Sequence, residues 1–130
     1  MEKALNFLKQ CGAFYLATSD ENQPHVRPFG AVCGFEGKLY LMTNNQKKVF
    51  WQLRNNPKIE ISGMAGEKWI RIEAEAVIDP RREARAAMLE ANPSLKNAYS
   101  VDDGVIEVFY LKNATAAICS FTDAPEAWQF

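Results

Sequence analysis

Two groups of residues carry charge where the surrounding pattern does not call for it. Tyr40-Leu41-Met42 runs into Thr43-Asn44-Asn45-Gln46-Lys47-Lys48-Val49-Phe50, so a hydrophobic strand, two amides and two ammonium groups fall close together. The Asn pair can cap a helix whose first N–H groups lack partners, and Val49, Phe50 and Leu53 give that helix an apolar stripe. Lys47 and Lys48 then sit at the positive end of the helix dipole, where a cation is disfavoured by roughly some tenths of a kcal/mol. A bound anion reverses that sign. Helix N–H groups, the amides of Asn44 and Asn45, the Thr43 hydroxyl and a lysine would together make a phosphate seat. The other reading makes both lysines solvated charges on a helix whose start is displaced by two residues. Arg81 and Arg82 open a further predicted helix with the same excess of positive charge.

Arg27 is the second oddity. His25, Arg27 and Phe29 share one face of a predicted strand, with Val26, Pro28 and Gly30 on the other. A guanidinium in a mostly apolar strand needs a partner, either a phosphate or carboxylate ligand or one of the 16 acidic residues of the chain. Pro28 cannot donate to a sheet ladder and places the segment at an edge, a bulge or a ligand-lined break. Familiar catalytic constellations are absent. His25 is the single histidine, no serine lies in a nucleophile-elbow pattern, and the glycines form neither a dinucleotide fingerprint nor a phosphate loop. Glu73 and Glu75 share an outward strand face and read as solvated. No metal site and no catalytic side chain is expected; chemistry would come from a bound cofactor.

Bulk composition narrows the classes. A chain of 130 residues suits one domain over 1–130 with a real core. Net charge is −1 with both signs mixed along the sequence, so a nucleic acid finds no continuous basic face. Cys11, Cys33 and Cys119 are scattered and odd in number, as expected of reduced thiols used as small buried hydrophobes. No apolar run is long enough for a membrane span, and Met1-Glu2-Lys3 opens a mixed helix instead of a leader. The expectation is a soluble cytoplasmic protein without nucleic-acid or membrane partners.

The elements that must position these residues follow from periodicity. Glu2 to Gln10 predicts a short amphipathic helix that Gly12 ends. Ala13 to Ser19 and His25 to Phe35 predict a hairpin, Gly37 turns into a strand at Lys38 to Thr43, and Gln46 to Asn55 predicts the helix discussed above. Lys58 to Met64 is a strand with Ile59, Ile61 and Gly63 on one face. Trp69 to Ile78 alternates most cleanly, Ile70, Ile72, Ala74, Ala76 and Ile78 against Trp69, Arg71, Glu73, Glu75 and Val77. Asp79-Pro80 predicts a helix start with Asp as cap, followed by a small-residue stripe at Ala84, Ala87, Met88 and Ala91. Pro93 to Ser100 predicts a loop with a helical turn, and Val105 to Leu111 and Ala114 to Phe121 predict two last strands joined at Lys112-Asn113. Seven mostly antiparallel strands with short turns favour a barrel, its openings covered by the helices at Gln46 and Pro80.

Taken in order, Arg27-Pro28-Phe29-Gly30, Gly37 to Asn45 with Lys47-Lys48, Leu53 through Asn56-Pro57-Lys58-Ile59, and Trp69-Ile70-Arg71-Ile72 resemble the pyridoxamine 5′-phosphate oxidase-like flavoproteins. The likeness runs from about Phe7 to Phe121. It implies a mainly β split barrel with flanking helices, a homodimer, and flavin mononucleotide (FMN) bound in grooves at the dimer interface. By position it implies Arg27 and Lys48 on the cofactor phosphate, with Lys47 as the alternative to Lys48, and Thr43, Asn44 and Asn45 adding hydrogen bonds. Pro28, Phe29 and Gly30 would run beside the ribityl chain and ring, Gln52 would reach the cofactor from its helix, and Trp69 or Trp128 would contact the ring from the second subunit or pack in the interface. The oxidase proper carries a C-terminal extension that supplies substrate contacts, whereas this sequence ends at Phe130 soon after its last predicted strand. The resemblance is closer to short members and nitroimidazole-reductase-like relatives, and pyridoxamine phosphate is not the expected substrate. The implied activity is hydride or electron transfer from reduced nicotinamide to a small planar acceptor. A non-catalytic flavin-binding or stress-associated dimer and a haem-binding split barrel are the alternatives.

Overall fold

Alternation of apolar and polar residues dictates one continuous sheet. In the computed structural model, which describes residues 1–130, the strands are β1 (Phe14–Asp20), β2 (Gln23–Phe29), β3 (Val32–Phe35), β4 (Lys38–Asn44), β5 (Lys58–Ala65), β6 (Lys68–Asp79), β7 (Ile106–Cys119) and β8 (Glu126–Gln129). They are ordered β2-β1-β5-β6-β7-β4-β3, with β8 on β7, and every pairing is antiparallel. The sheet wraps a shared interior, but β2 and β3 at its two ends do not pair. The barrel is split, and the seam runs beside the two-residue link Gly30-Ala31 that joins those ends. Pro28 therefore lies in an end strand, where its missing N–H costs no ladder bond.

Inward positions of the strands supply the core. Phe14 and Leu16 of β1, Leu39 and Leu41 of β4, Ile59 and Ile61 of β5, and Ile70 and Ile72 of β6 are all buried. Each such side chain contributes about 1.5–3 kcal/mol on leaving water. Gly63 continues the inward face of β5 because no side chain fits there; a Cβ would come within 2.9 Å of Cys11 Sγ and Phe14 Cβ. Helix α1 (Glu2–Cys11) and helix α2 (Lys48–Asn55) insert Ala4, Leu5, Phe7, Leu8, Val49 and Leu53 into the same interior. Helix α3 (Arg82–Ala91) packs Ala84 and Met88 on the other side of the sheet, over Cys33, Tyr40 and Val108. The openings are thus filled by α1 and α2, and the expectation that α3 covers one is corrected: Ala84 and Met88 seat it on the outer face of β3, β4 and β7. No helix is long and apolar enough to cross a membrane.

Four local boundaries differ from the sequence reading. The single strand His25 to Phe35 is two strands, because after Gly30 the chain leaves β1 and joins the far side of β4. The two strands either side of Lys112-Asn113 are one, β7. Asn113 takes φ 52°, and the register against β6 shifts there. A left-handed Asn signals a turn in a sequence, but here it makes a β-bulge that bends a long strand round the barrel. β8 is a further strand, too short to announce itself, held along β7 from Thr115 to Ile118. Both later helices also start beyond the predicted residues, with Lys47 and Arg81 at the N-cap positions.

The start of α3 is internally neutralised. Asp79 Oδ1 accepts the Arg81 backbone N–H at 3.0 Å, while the Arg81 guanidinium donates to Asp79 and, at 2.9 and 3.0 Å, to both oxygens of Glu36. The fully buried Tyr40 hydroxyl donates to Asp79 Oδ2 at 2.6 Å. Arg82 pairs with Asp102 at 3.0 Å. The hydrogen bonds from Arg81 hold the Asp79 carboxyl down at about 2, and burial, reinforced by Asp79, pushes the Tyr40 phenol up to about 12.

Candidate functional site

A pocket of about 370 Å³ opens between the free end of β2 and β4. β3 covers β4 only as far as Leu41, so at Met42 and Thr43 that edge of β4 has no neighbouring strand. Arg27, Pro28, Phe29, Gly30 and Ala31 form one wall, Met42 and Thr43 another, and Lys47 and Val49 bring in the start of α2. The remaining wall is Asn92, Ser94, Leu95 and Tyr99, from the end of α3, the 3₁₀ turn Pro93–Asn97 and the loop after it. No aspartate, glutamate, histidine or cysteine lines it.

Its electrostatics are one-sided. Arg27 and Lys47 are cations, and neither forms an ion pair within the chain. Burial lowers the pKa of Arg27, although a guanidinium remains charged at any ordinary pH. The first turn of α2 contains no acidic residue and receives no side-chain cap, so its leading N–H groups keep their positive field. Thr43 is 4% exposed, and its Oγ1 is the one buried side-chain polar atom of the chain without a hydrogen-bond partner. A buried hydroxyl in that state costs about 1–3 kcal/mol. The site offers donors and positive charge without an internal carboxylate.

The candidates named from sequence fall into two sets. Arg27, Pro28, Phe29, Gly30, Thr43 and Lys47 meet at the pocket. Lys48 is exposed beside it and outside its lining. Asn44 and Asn45 brace the corner and do not cap the helix. Asn44 Oδ1 accepts the Gln46 N–H at 3.0 Å and its Nδ2 donates to Tyr99 Oη at 2.9 Å, while Asn45 Nδ2 donates to the Gly104 carbonyl at 2.8 Å and to Glu107. Gln52 is buried behind Arg27, accepting from its Nη2 at 2.5 Å. His25 is half-buried on the Arg27 face of β2 but does not line the pocket.

Sequence reasoning missed the wall at Asn92 to Tyr99 and missed Thr18. The first had no signal beyond a helix stop before Pro93. The second did: Phe14, Leu16 and Thr18 share the inward face of β1, and a hydroxyl on a core face needs a polar partner. Here it accepts from Arg27 at 2.8 Å.

Comparison with known proteins agrees with this architecture. Residues 1–112 match the family model described as pyridoxamine 5′-phosphate oxidase. A crystal structure of a NimC/NimA family protein from Clostridium acetobutylicum is 53% identical, with TM-score 0.97 over 100% of this chain and 92% of that one. General stress protein 26 from Bacillus anthracis shares 20% identity at TM-score 0.79, covering 99% of this chain and 97% of that one. A heme binding protein from Mycobacterium smegmatis shares 18% at TM-score 0.77, covering 98% and 57%. At those two identities the likeness speaks for the fold alone. Comparison with curated proteins finds no match.

Proposed function

Because the chain belongs to the pyridoxamine 5′-phosphate oxidase-like family, we propose that its pocket takes the phosphate end of FMN and that the protein is an FMN-dependent oxidoreductase, moving hydride or electrons from a reduced nicotinamide to a small planar acceptor. The observation that carries this reading is the buried Thr43 hydroxyl without a partner, set among cations in a pocket that has no carboxylate. An oxyanion that accepts its proton removes the cost of leaving it unpaired. The other donors suit the same group: Arg27 offers a planar fork, Lys47 a point charge and the first turn of α2 its free N–H groups. Lys48 adds charge from outside the pocket. Asn44 and Asn45 hold the corner rigid, and Pro28, Phe29 and Gly30 wall the path along which the rest of the cofactor would run.

When bound, FMN supplies the hydride and electron chemistry of its ring. The chain's own part is to bind the phosphate, fix the cofactor's direction and exclude water. No carboxylate, imidazole or thiol lines the pocket. We take the working unit to be a homodimer. Tyr15, Val26 and Met64 are 51%, 68% and 58% exposed on one sheet face, and these exposed apolar side chains support a contact there. Trp69 lies on this face, its ring 5.0 Å from that of Phe121, and is our candidate for the flavin contact from a second subunit. Trp128 instead packs against the core beneath Lys3.

The test is the ligand released from freshly purified protein, identified by mass and visible spectrum, together with nicotinamide oxidation on quinones and nitroaromatics. FMN and turnover above free flavin are expected. Haem, or failure to take up FMN, contradicts the reading, and FMN without turnover leaves a flavin-binding protein in place of an enzyme.

A further inference from the structure

Arg27 is held only by uncharged groups. Its Nη1 donates to Thr18 Oγ1 at 2.8 Å, to the Leu16 carbonyl at 3.2 Å and to the His25 carbonyl at 3.5 Å, and its Nη2 donates to Gln52 Oε1 at 2.5 Å. The one proton of the Thr18 hydroxyl goes to the same Gln52 oxygen at 2.7 Å. Thr18 is 2% and Gln52 9% exposed, so water does not compete for these bonds. The amide orientation follows from the chemistry, because a reversed Gln52 would turn its NH₂ group against both a guanidinium and a hydroxyl proton. With Nη1 and one Nη2 hydrogen committed, Nε and the other Nη2 hydrogen have no acceptor within the chain. That edge of a guanidinium matches two oxygens of a phosphate.

A half-buried arginine is ordinarily steadied by a carboxylate, which orients it and cancels its charge. Glutamate differs from glutamine by a single group at position 52. We propose that Thr18 and Gln52 are positioning residues that fix the direction of the Arg27 guanidinium through neutral acceptors and so keep its whole charge for the anion. They join β1 to the second turn of α2, so the strand that carries Arg27 and the helix that carries Lys47 are set relative to one another by the same buried pair. The inference rests on the FMN reading of the pocket and deepens it.

Two variants separate direction from charge. Gln52→Glu keeps an acceptor oxygen and adds a negative charge, whereas Gln52→Met removes the acceptor and leaves Arg27 charged. Dissociation constants for FMN and for riboflavin, which lacks the phosphate, are measured by flavin fluorescence. The Arg27 side-chain nitrogen signals are recorded by NMR in ligand-free protein, where hindered rotation keeps them resolved. Gln52→Glu is expected to leave those signals resolved and to weaken FMN on the order of ten- to a hundredfold, with riboflavin changed less than about twofold. Gln52→Met is expected to collapse the signals and to weaken FMN by a smaller factor, roughly three- to tenfold. Unchanged FMN affinity in Gln52→Glu, or equal losses for the two flavins, overturns the proposal. A wild type that binds FMN no better than riboflavin would instead sink the reading of the pocket. The NMR result still decides the positioning role in that case: signals collapsed in the wild type, or unmoved by Gln52→Met, refute it.

Discussion

Helices α2 and α3 both begin with two consecutive cations at the positive end of the helix dipole, yet the fold treats them in opposite ways. At α3, Arg81 is gripped by Asp79 and Glu36, Arg82 is paired with Asp102, and the first turn contains Glu83. At α2, Lys47 and Lys48 have no acidic partner, and the first turn contains no acid. Arg27, which lines the same pocket as Lys47, is steadied by a hydroxyl, an amide and backbone carbonyls. A cation cluster that is satisfied internally is structural; one whose cations have no carboxylate partner retains its field for something that arrives. The same sequence signal, two cations opening a helix, therefore has two meanings, and the placement of acids, local at Asp79 and Glu83 and distant at Glu36 and Asp102, tells them apart.

The firmest way to break this contrast is to remove the acid from the structural side. Asp79→Ala leaves the buried Tyr40 hydroxyl unpaired and releases Arg81, and should cost about 2–4 kcal/mol in urea denaturation while leaving flavin affinity alone. A loss of FMN affinity in step with stability would mean that the two clusters are not independent.

A smaller effect comes from pH. Asp79 is held at about 2 against an ordinary 3.8. Because its folded value is depressed, the stabilisation is complete above the unfolded value and is lost as pH falls from about 4 towards 2, on the order of 2 kcal/mol in all. Asp79→Asn should flatten the dependence of stability on pH in that window, and an undiminished slope would assign the acid sensitivity to other groups.

The smallest effects sharpen the contrast at α2. Lys47→Ala should weaken FMN about three- to tenfold, less than a half-buried charge would, because the ammonium group is exposed. In ligand-free protein the same change should raise stability by a few tenths of a kcal/mol, by relieving a cation at the helix start. Lys48→Ala should show the same gain in stability with a smaller loss of affinity, and a larger loss at Lys48 than at Lys47 would exchange their roles.

Much of the fold was legible because strands with one buried face declare themselves. The alternation from Trp69 to Ile78 is the clearest, and Ile70, Ile72, Ala74 and Ala76 are indeed buried. What misled was backbone that breaks a local rule for a global reason: the step at Gly30-Ala31 that carries the chain from one end of the sheet to the other, and the left-handed Asn113 inside a continuous strand. At the pocket, Arg27 and the pair Lys47-Lys48 stood out because a charge in the wrong place is visible in one dimension, although Lys47 and not the favoured Lys48 lines it. The wall at Asn92 to Tyr99 is set by how α3 lies on the sheet, and nothing in those residues announces it. The Asn44 and Asn45 amides looked like helix caps, yet they bond a loop some 60 positions away, at Tyr99 and Gly104. Side chains of that kind show what they can bond but not which of several partners the fold will bring.

The role of the cation cluster at α2 is read most directly from two ligands that differ by a phosphate. Equilibrium titration of ligand-free protein with FMN and with riboflavin should show FMN bound more tightly by at least about tenfold, an advantage that Arg27→Ala removes. Equal binding of the two flavins by the wild-type protein would contradict it.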